Sequence, residues 1–171
     1  MYQHSHIDIN GYHDSPMNGV LEMEKREMLG EIKEKTQATI IKEFAADGAM
    51  IQYNSMGEFK GKYHATHFET ADVKLKMDGT NEWEVKAMEV TKEGDVVMVT
   101  GKGTGKQDRP MEGSFKGEVT YITNSPRLSW LNNTKGMVEG MTDQKNNEAT
   151  IKVWAPEKPM TTEQAVAAPA M

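Results

Sequence analysis

The sequence predicts an all-β fold, an antiparallel barrel, closed or nearly closed, of about eight to ten strands with internal strand-pair repeats. Three observations lead there. A glycine-punctuated phrase recurs along the chain, turn residues follow it at short intervals, and apolar and polar side chains alternate in between.

The phrase is fullest in GEFKGKYHAT, from Gly57, and GSFKGEVTYIT, from Gly113. Weaker copies are GEIKEKTQAT from Gly30, WEVKAMEVT from Trp83 and GMVEGMT from Gly136. Aligned on the central apolar residue, Ile32, Phe59, Val85, Phe115 and Val138 are equivalent. A small residue stands two positions on, at Gly61, Ala87, Gly117 and Gly140, with Glu34 the exception. Recurrence of this kind suits a solenoid, but no leucine-rich or helical-repeat signature accompanies it, and the unit reads as a pair of strands.

Each copy leads into a turn and a return strand. The turns are Asp47-Gly48, Asp78-Gly79, Glu93-Gly94, Asn124 to Pro126, and Asn146-Asn147. Gly and Asn supply the positive φ that tight hairpins require. The return strands AMIQY, DVVMVT and EATIKVW are rich in β-branched and aromatic residues.

Read as one strand, GEFKGKYHATHFE puts Phe59, Gly61, Tyr63, Ala65, His67 and Glu69 on the inward face and Lys60, Lys62, His64 and Thr66 outside. The copy at Gly113 likewise turns Phe115, Gly117, Val119 and Tyr121 inward. Inward glycines let a strand coil, as barrel closure needs, and are expected to leave room in the lumen.

The ends differ from the middle. Residues 1–19 form a His-rich segment expected to be flexible, residues 20–154 the barrel, and residues 155–171 a Pro/Ala-rich tail expected to be disordered. SPMNGVLEMEKREMLG, from Ser15, keeps two readings. Ser15 and Pro16 suit a helix start, whereas VLEMEKREM alternates as a strand does.

Glycine-punctuated strands in a cysteine-free chain of this length resemble the allene oxide cyclase-like barrels, through GEFKG, GTGK after DVVMVTGKG, and GSFKGEVTYIT. The resemblance covers about residues 30–154 and implies a barrel fold. Enzymes of that superfamily cyclise hydrophobic substrates inside the barrel; none of their catalytic residues can be placed on this chain.

Composition narrows the function. A net charge of −6 with both signs interspersed argues against a nucleic-acid partner. The absence of cysteine removes disulfides, thiol nucleophiles and cysteine-ligated zinc. No apolar run is long enough for a membrane span, and MYQHSHIDIN lacks the features of a secretory signal, so a cytoplasmic protein is expected. NNT at Asn132 matches a glycosylation acceptor only on a secretory route.

Chemistry concentrates on the inward face. His67 beside Tyr63 and Glu69, and Glu89 in line with Val85 and Ala87, are polar where apolar residues belong. As an acid–base pair, His67 and Glu89 are the candidate catalytic residues, with burial raising a carboxyl pKa toward neutrality. Tyr53, Phe59, Tyr63, Phe115 and Tyr121 are the candidate ligand-binding residues. The bland alternative, hydrated rim residues or structural filler, carries more weight.

No metal or cofactor is assigned. His64 and His67 in HATH fall on opposite faces of a strand. His4, His6, His13, Asp8 and Asp14 read as a solvated tail with adventitious affinity, and GKGTGK at Gly101 has no helix behind it to make a phosphate loop. Three functions remain: a barrel binding a small hydrophobic ligand, a filled structural barrel that forms homo-oligomers, and a cyclase or isomerase working in the lumen.

Overall fold

A computed structural model describes residues 26–156. They form eight strands: β1 Glu27–Ala45, β2 Gly48–Gly61, β3 His64–Lys76, β4 Thr80–Thr91, β5 Val96–Arg109, β6 Glu112–Thr123, β7 Lys135–Asp143 and β8 Glu148–Ala155. Each strand pairs antiparallel with the next, and β8 returns to β1, closing the barrel in simple up-and-down order. Closure leaves no open sheet edge around most of the wall. His4, His6, His13 and residues 15–25 lie outside the described residues; from Glu27 onward the ambiguous segment is strand.

All five expected turns fall at connections between strands, and Gly79, Gly94 and Asn147 adopt positive φ there. The β5–β6 hairpin at Pro110-Met111 carried no glycine signal; Met111 takes φ 65° instead. GKGTGK lies inside β5 and is wall, not loop. GEFKGKYHATHFE, expected as one strand, is the hairpin between β2 and β3. Its inward set nonetheless survives the reversal. Phe59 pairs with Ala65 and Lys60 with His64, so odd residues face odd residues across the turn and keep one face.

The barrel has two unlike ends. At the end where β2 leads into β3, Phe59 and Tyr63 stack with ring centroids 4.4 Å apart. The connection from β6 to β7 carries a short 3-10 helix, Ser129–Asn133, which buries Leu131 beside Leu128 in the same apolar cluster as Phe59 and Tyr63. Asn132 tethers this connection by accepting from Thr123 N–H and donating to Thr123 C=O. At the other end β1 outruns β8, with 19 residues against 8, and its pairing with β8 stops at Lys35.

The central residues of the five phrase copies, Ile32, Phe59, Val85, Phe115 and Val138, all face inward, Phe115 half-buried and the others buried. Two of the inward glycines do not provide empty space. A Cβ on Gly103 or on Gly117 would lie 2.4 or 2.5 Å from Cζ2 of Trp83. The indole occupies the room those glycines vacate, and its Nε1–H donates to Thr104 C=O at 3.3 Å.

Candidate functional site

The inner wall carries apolar residues such as Ile51, Val73 and Val99 between a polar rim at the open end, with Gln107, Asp143 and Asn147, and a buried polar cluster deeper in the lumen. Four side chains meet there: Glu34 from β1, His67 and Glu69 from β3, and Glu89 from β4. His67 and Glu69 share a face because strand side chains repeat every second residue. His67 and Glu89 are register partners on adjacent strands. Glu34 is two strands from His67, and the register residue between them is Gly57. A Cβ on Gly57 would sit 2.7 Å from Glu34 Cβ and 2.1 Å from Lys33 C=O. With no side chain in that place, Glu34 and His67 reach one another across β2.

The imidazole is the hub. His67 Nδ1–H donates to Glu89 Oε1 at 3.2 Å, and Tyr63 O–H donates to the other oxygen of Glu89. His67 Nε2 faces Glu69 Oε2 at 3.3 Å and Glu34 Oε2 at 3.6 Å. The side chains of His67 and Glu89 are each 2 % exposed, Glu34 5 % and Glu69 14 %. Glu34 Oε2 is buried without a hydrogen-bond partner. On the open side Thr36 and Ser55 hydroxyls lie 3.5 Å apart.

Low polarity and crowded charge act in opposite directions on these groups. Burial raises the Glu34 pKa to about 8, helped by the charge of Glu69 and opposed by His67 and by a hydrogen bond from Ser55. For His67, burial is the largest influence and lowers its pKa. Hydrogen bonds to Glu69 and Glu89, with the charges of both, outweigh it and lift the pKa to about 10. Burial and the Glu89 charge hold the phenols of Tyr63 and Tyr121 above the ordinary tyrosine range. Near neutral pH the hub is therefore an imidazolium held between carboxylates, with Glu34 mostly protonated.

Above the cluster lies a cavity of about 490 Å³. Glu34, His67, Glu69 and Glu89 line it, with Ile51, Val73, Leu75, Val99 and Val119 among its apolar wall. A shallower depression of about 810 Å³ crosses the outside of β4 to β8 and is lined largely by charged and polar residues such as Lys76, Glu82, Lys116, Glu139 and Lys152. Of these two, the lumen is the one that meets the buried carboxyl and imidazole groups.

Of the residues singled out in the sequence, His67 and Glu89 are in contact, and Tyr53, Phe115 and Tyr121 line the cavity. Phe59 and Tyr63 do not line it; they stack beneath it, with Tyr63 bonded to Glu89. Glu34 was missed as a member of the site. Its signal was present as the one phrase copy whose small residue is replaced by a carboxylate.

No family model matches the chain, and no curated protein matches it. Solved structures do. A conserved protein of unknown function from Rhodopseudomonas palustris aligns with TM-score 0.67 and 16 % identity over 77 % of this chain and 96 % of its own. A β-barrel-like protein from Acinetobacter baumannii aligns at 0.65 and 18 % over 77 % and 94 %. A protein of unknown function from Clostridium acetobutylicum aligns at 0.68 and 14 % over 77 % and 99 %. At such identities the likeness shows the fold alone. The chain is an eight-stranded β-barrel of the kind these proteins share.

Proposed function

We propose that the barrel binds one small, mostly apolar molecule in its lumen, with a polar end directed at the His67 cluster. One observation carries this reading: a cavity of about 490 Å³ with a polar rim, an apolar middle and a few converging, buried polar groups at its deep end. Binding sites for small molecules are commonly about 300–1,000 Å³, with an apolar wall and a few placed polar groups, as in the deeper part of this cavity. Trp83 lies in the wall and supplies an intrinsic reporter.

The test is titration of the untagged protein with the neutral fluorophore N-phenyl-1-naphthylamine, alongside native mass spectrometry and organic extraction of the freshly purified protein. Saturable binding that quenches Trp83 is expected, and Ala71→Phe, which fills the lumen, should abolish it. Equal binding by a folded Ala71→Phe variant would place the probe elsewhere and end the proposal.

The His67–Glu89 pair favours one second reading, proton transfer on the bound molecule. An imidazolium held by a carboxylate is placed to act as general acid, giving its Nε2 proton to the bound molecule and regaining it from water. The resemblance to allene oxide cyclase-like barrels supports the same idea, since enzymes of that superfamily work on hydrophobic substrates inside the barrel. Solvent deuterium entering the extracted ligand with wild-type protein but not with His67→Gln would support it. No exchange with either protein would remove it.

A further inference from the structure

We propose that Glu34, His67 and Glu69 are the ligands of a divalent transition-metal ion of the zinc type. This site goes beyond the lumen ligand and stands without it.

Spacing is the first support. The three ligand atoms all lie within 4.8 Å of one another. His67 Nε2 is 3.3 Å from Glu69 Oε2 and 3.6 Å from Glu34 Oε2. Ligands at about 2.0–2.1 Å from a tetrahedral zinc ion are separated by about 3.3–3.4 Å, so two of the three edges already approach a metal's geometry. The third edge, between the two carboxyl groups, is within 4.8 Å.

The orphaned oxygen is the second and independent support. Glu34 Oε2 belongs to a side chain 5 % exposed, makes no hydrogen bond, and points toward His67 Nε2. A buried polar atom without a partner costs about 1–3 kcal/mol, and a bound cation removes that cost. The same cation takes the place of the Glu34 proton and draws together two carboxyl groups that both face His67 Nε2.

The surroundings are arranged as outer partners of a metal ligand. Glu89 accepts from His67 Nδ1–H at 3.2 Å and is itself held by the Tyr63 hydroxyl. That bond keeps one proton on Nδ1 and aims Nε2 at the carboxylates, the usual role of a carboxylate behind a metal-bound histidine. The ion takes the place of the Nε2 proton, which is released to solvent. All three ligands line the cavity, so a fourth coordination position would open into the lumen and take water or the polar end of a bound molecule. Gly57, by its missing side chain, is what lets Glu34 join the set.

The experiment uses full-length, untagged, chelator-stripped protein. Zinc is titrated by calorimetry into wild type and into a His4→Ala/His6→Ala/His13→Ala variant, which lacks the N-terminal histidines. One equivalent is expected to bind both proteins with the same affinity. Glu34→Gln should lose at least tenfold, and Glu89→Gln, which touches no metal, about 10- to 100-fold. Zinc that follows the N-terminal histidines, or affinity unchanged in a folded Glu34→Gln, overturns the site. Cobalt(II) offers a readout without any change to the barrel. Paramagnetic shift of the His67 ring protons at one equivalent supports the assignment, and their persistence unshifted refutes it. Failure of the lumen probe to bind leaves each of these results untouched, so the two proposals fall separately.

Discussion

Two rows of side chains run around the barrel at the same height, one residue apart in sequence and on opposite faces of the wall. The inner row passes Gly57, His67, Glu89, Val97 and Thr123. The outer row passes Met56, Phe68, Met88, Met98 and Ile122, with exposures from 39 % to 68 %. Here the ordinary pattern is reversed, with charge inside and apolar surface outside. An exposed Met loses little, because folded surfaces are more than half apolar in any case. A buried His or Glu is tolerated only when paired and hydrogen-bonded. The row continues one rung further only at Val90 and Val96 and is bounded on its other side by Thr70, Lys86, Thr100 and Thr120. The lipid-facing band of a membrane barrel, by contrast, is about 25 Å tall, so the inversion does not read as a spanning band. It marks the level at which the inner wall gives up packing for chemistry.

The largest effect is expected where a charged group loses its buried partner. Glu89→Ala leaves the His67 ring and the Tyr63 hydroxyl without their shared acceptor. A loss of about 3–5 kcal/mol in unfolding free energy is expected from denaturant titration, as for other broken buried pairs. A loss under about 1 kcal/mol would mean that water replaces the carboxylate freely and that the inner row is not sealed. Val97, next to the cluster and 0 % exposed, gives the apolar control. Val97→Ala should lose about 2 kcal/mol through removed contacts and a small cavity.

Acidity offers a way to weaken the inner row without mutation. The folded pKa of His67 stands near 10, above its unfolded value, and that of Glu34 near 8, above its own. Both groups bind protons more tightly folded than unfolded, so both stabilise the fold at low pH and lose that contribution as pH rises. For Glu34 the loss runs from about pH 4.5 to about 8, and for His67 from about 6.5 to about 10. The groups facing them are Glu69 on β3, Glu89 on β4, Tyr63 in the β2–β3 turn and Tyr121 on β6. Metal-free protein should lose stability as pH rises from about 7 to about 10, by up to about 1.4 kcal/mol per pH unit for each of the two groups. The loss is steepest between about 7 and about 8, where both contribute. A flat profile in His67→Gln over pH 8 to 10 would assign that part of the slope to His67, and a flat profile in wild type would contradict the raised pKa.

Much of the inner row was legible in the sequence because a strand's period of two is insensitive to where the chain reverses. Phe59, Ala65, His67 and Glu89 were placed inward although the hairpin between β2 and β3 went unrecognised, since that hairpin pairs odd with odd residues. Its turn is built by Gly61, Lys62 and Tyr63, with no Asn-Gly or Asp-Gly to announce it. Glu34 was harder to place. Its nearness to His67 depends on the register of two successive strand pairs and on a glycine between them, and register is a tertiary property. The glycines were read for space, but the sequence does not say which ring fills it; Trp83, from another strand, takes the room above Gly103 and Gly117.

The smallest effect is expected on the outer row. Met98 follows Val97 directly and is 51 % exposed, with Met88 and Ile122 as its cross-strand neighbours. Met98→Thr keeps strand propensity, removes apolar surface from contact with water, and should change unfolding free energy by less than about 0.5 kcal/mol. The contrast with Val97→Ala, one position earlier, then rests on which side of the wall each residue faces. Thermal unfolding at two protein concentrations a hundredfold apart decides what the row does. A melting temperature that is the same at both, in wild type and in Met98→Thr, means that these side chains meet only solvent. If the wild-type value rises with concentration and Met98→Thr abolishes the rise, a second copy covers the row, because a contact between copies gains stability by mass action and a contact within one chain does not.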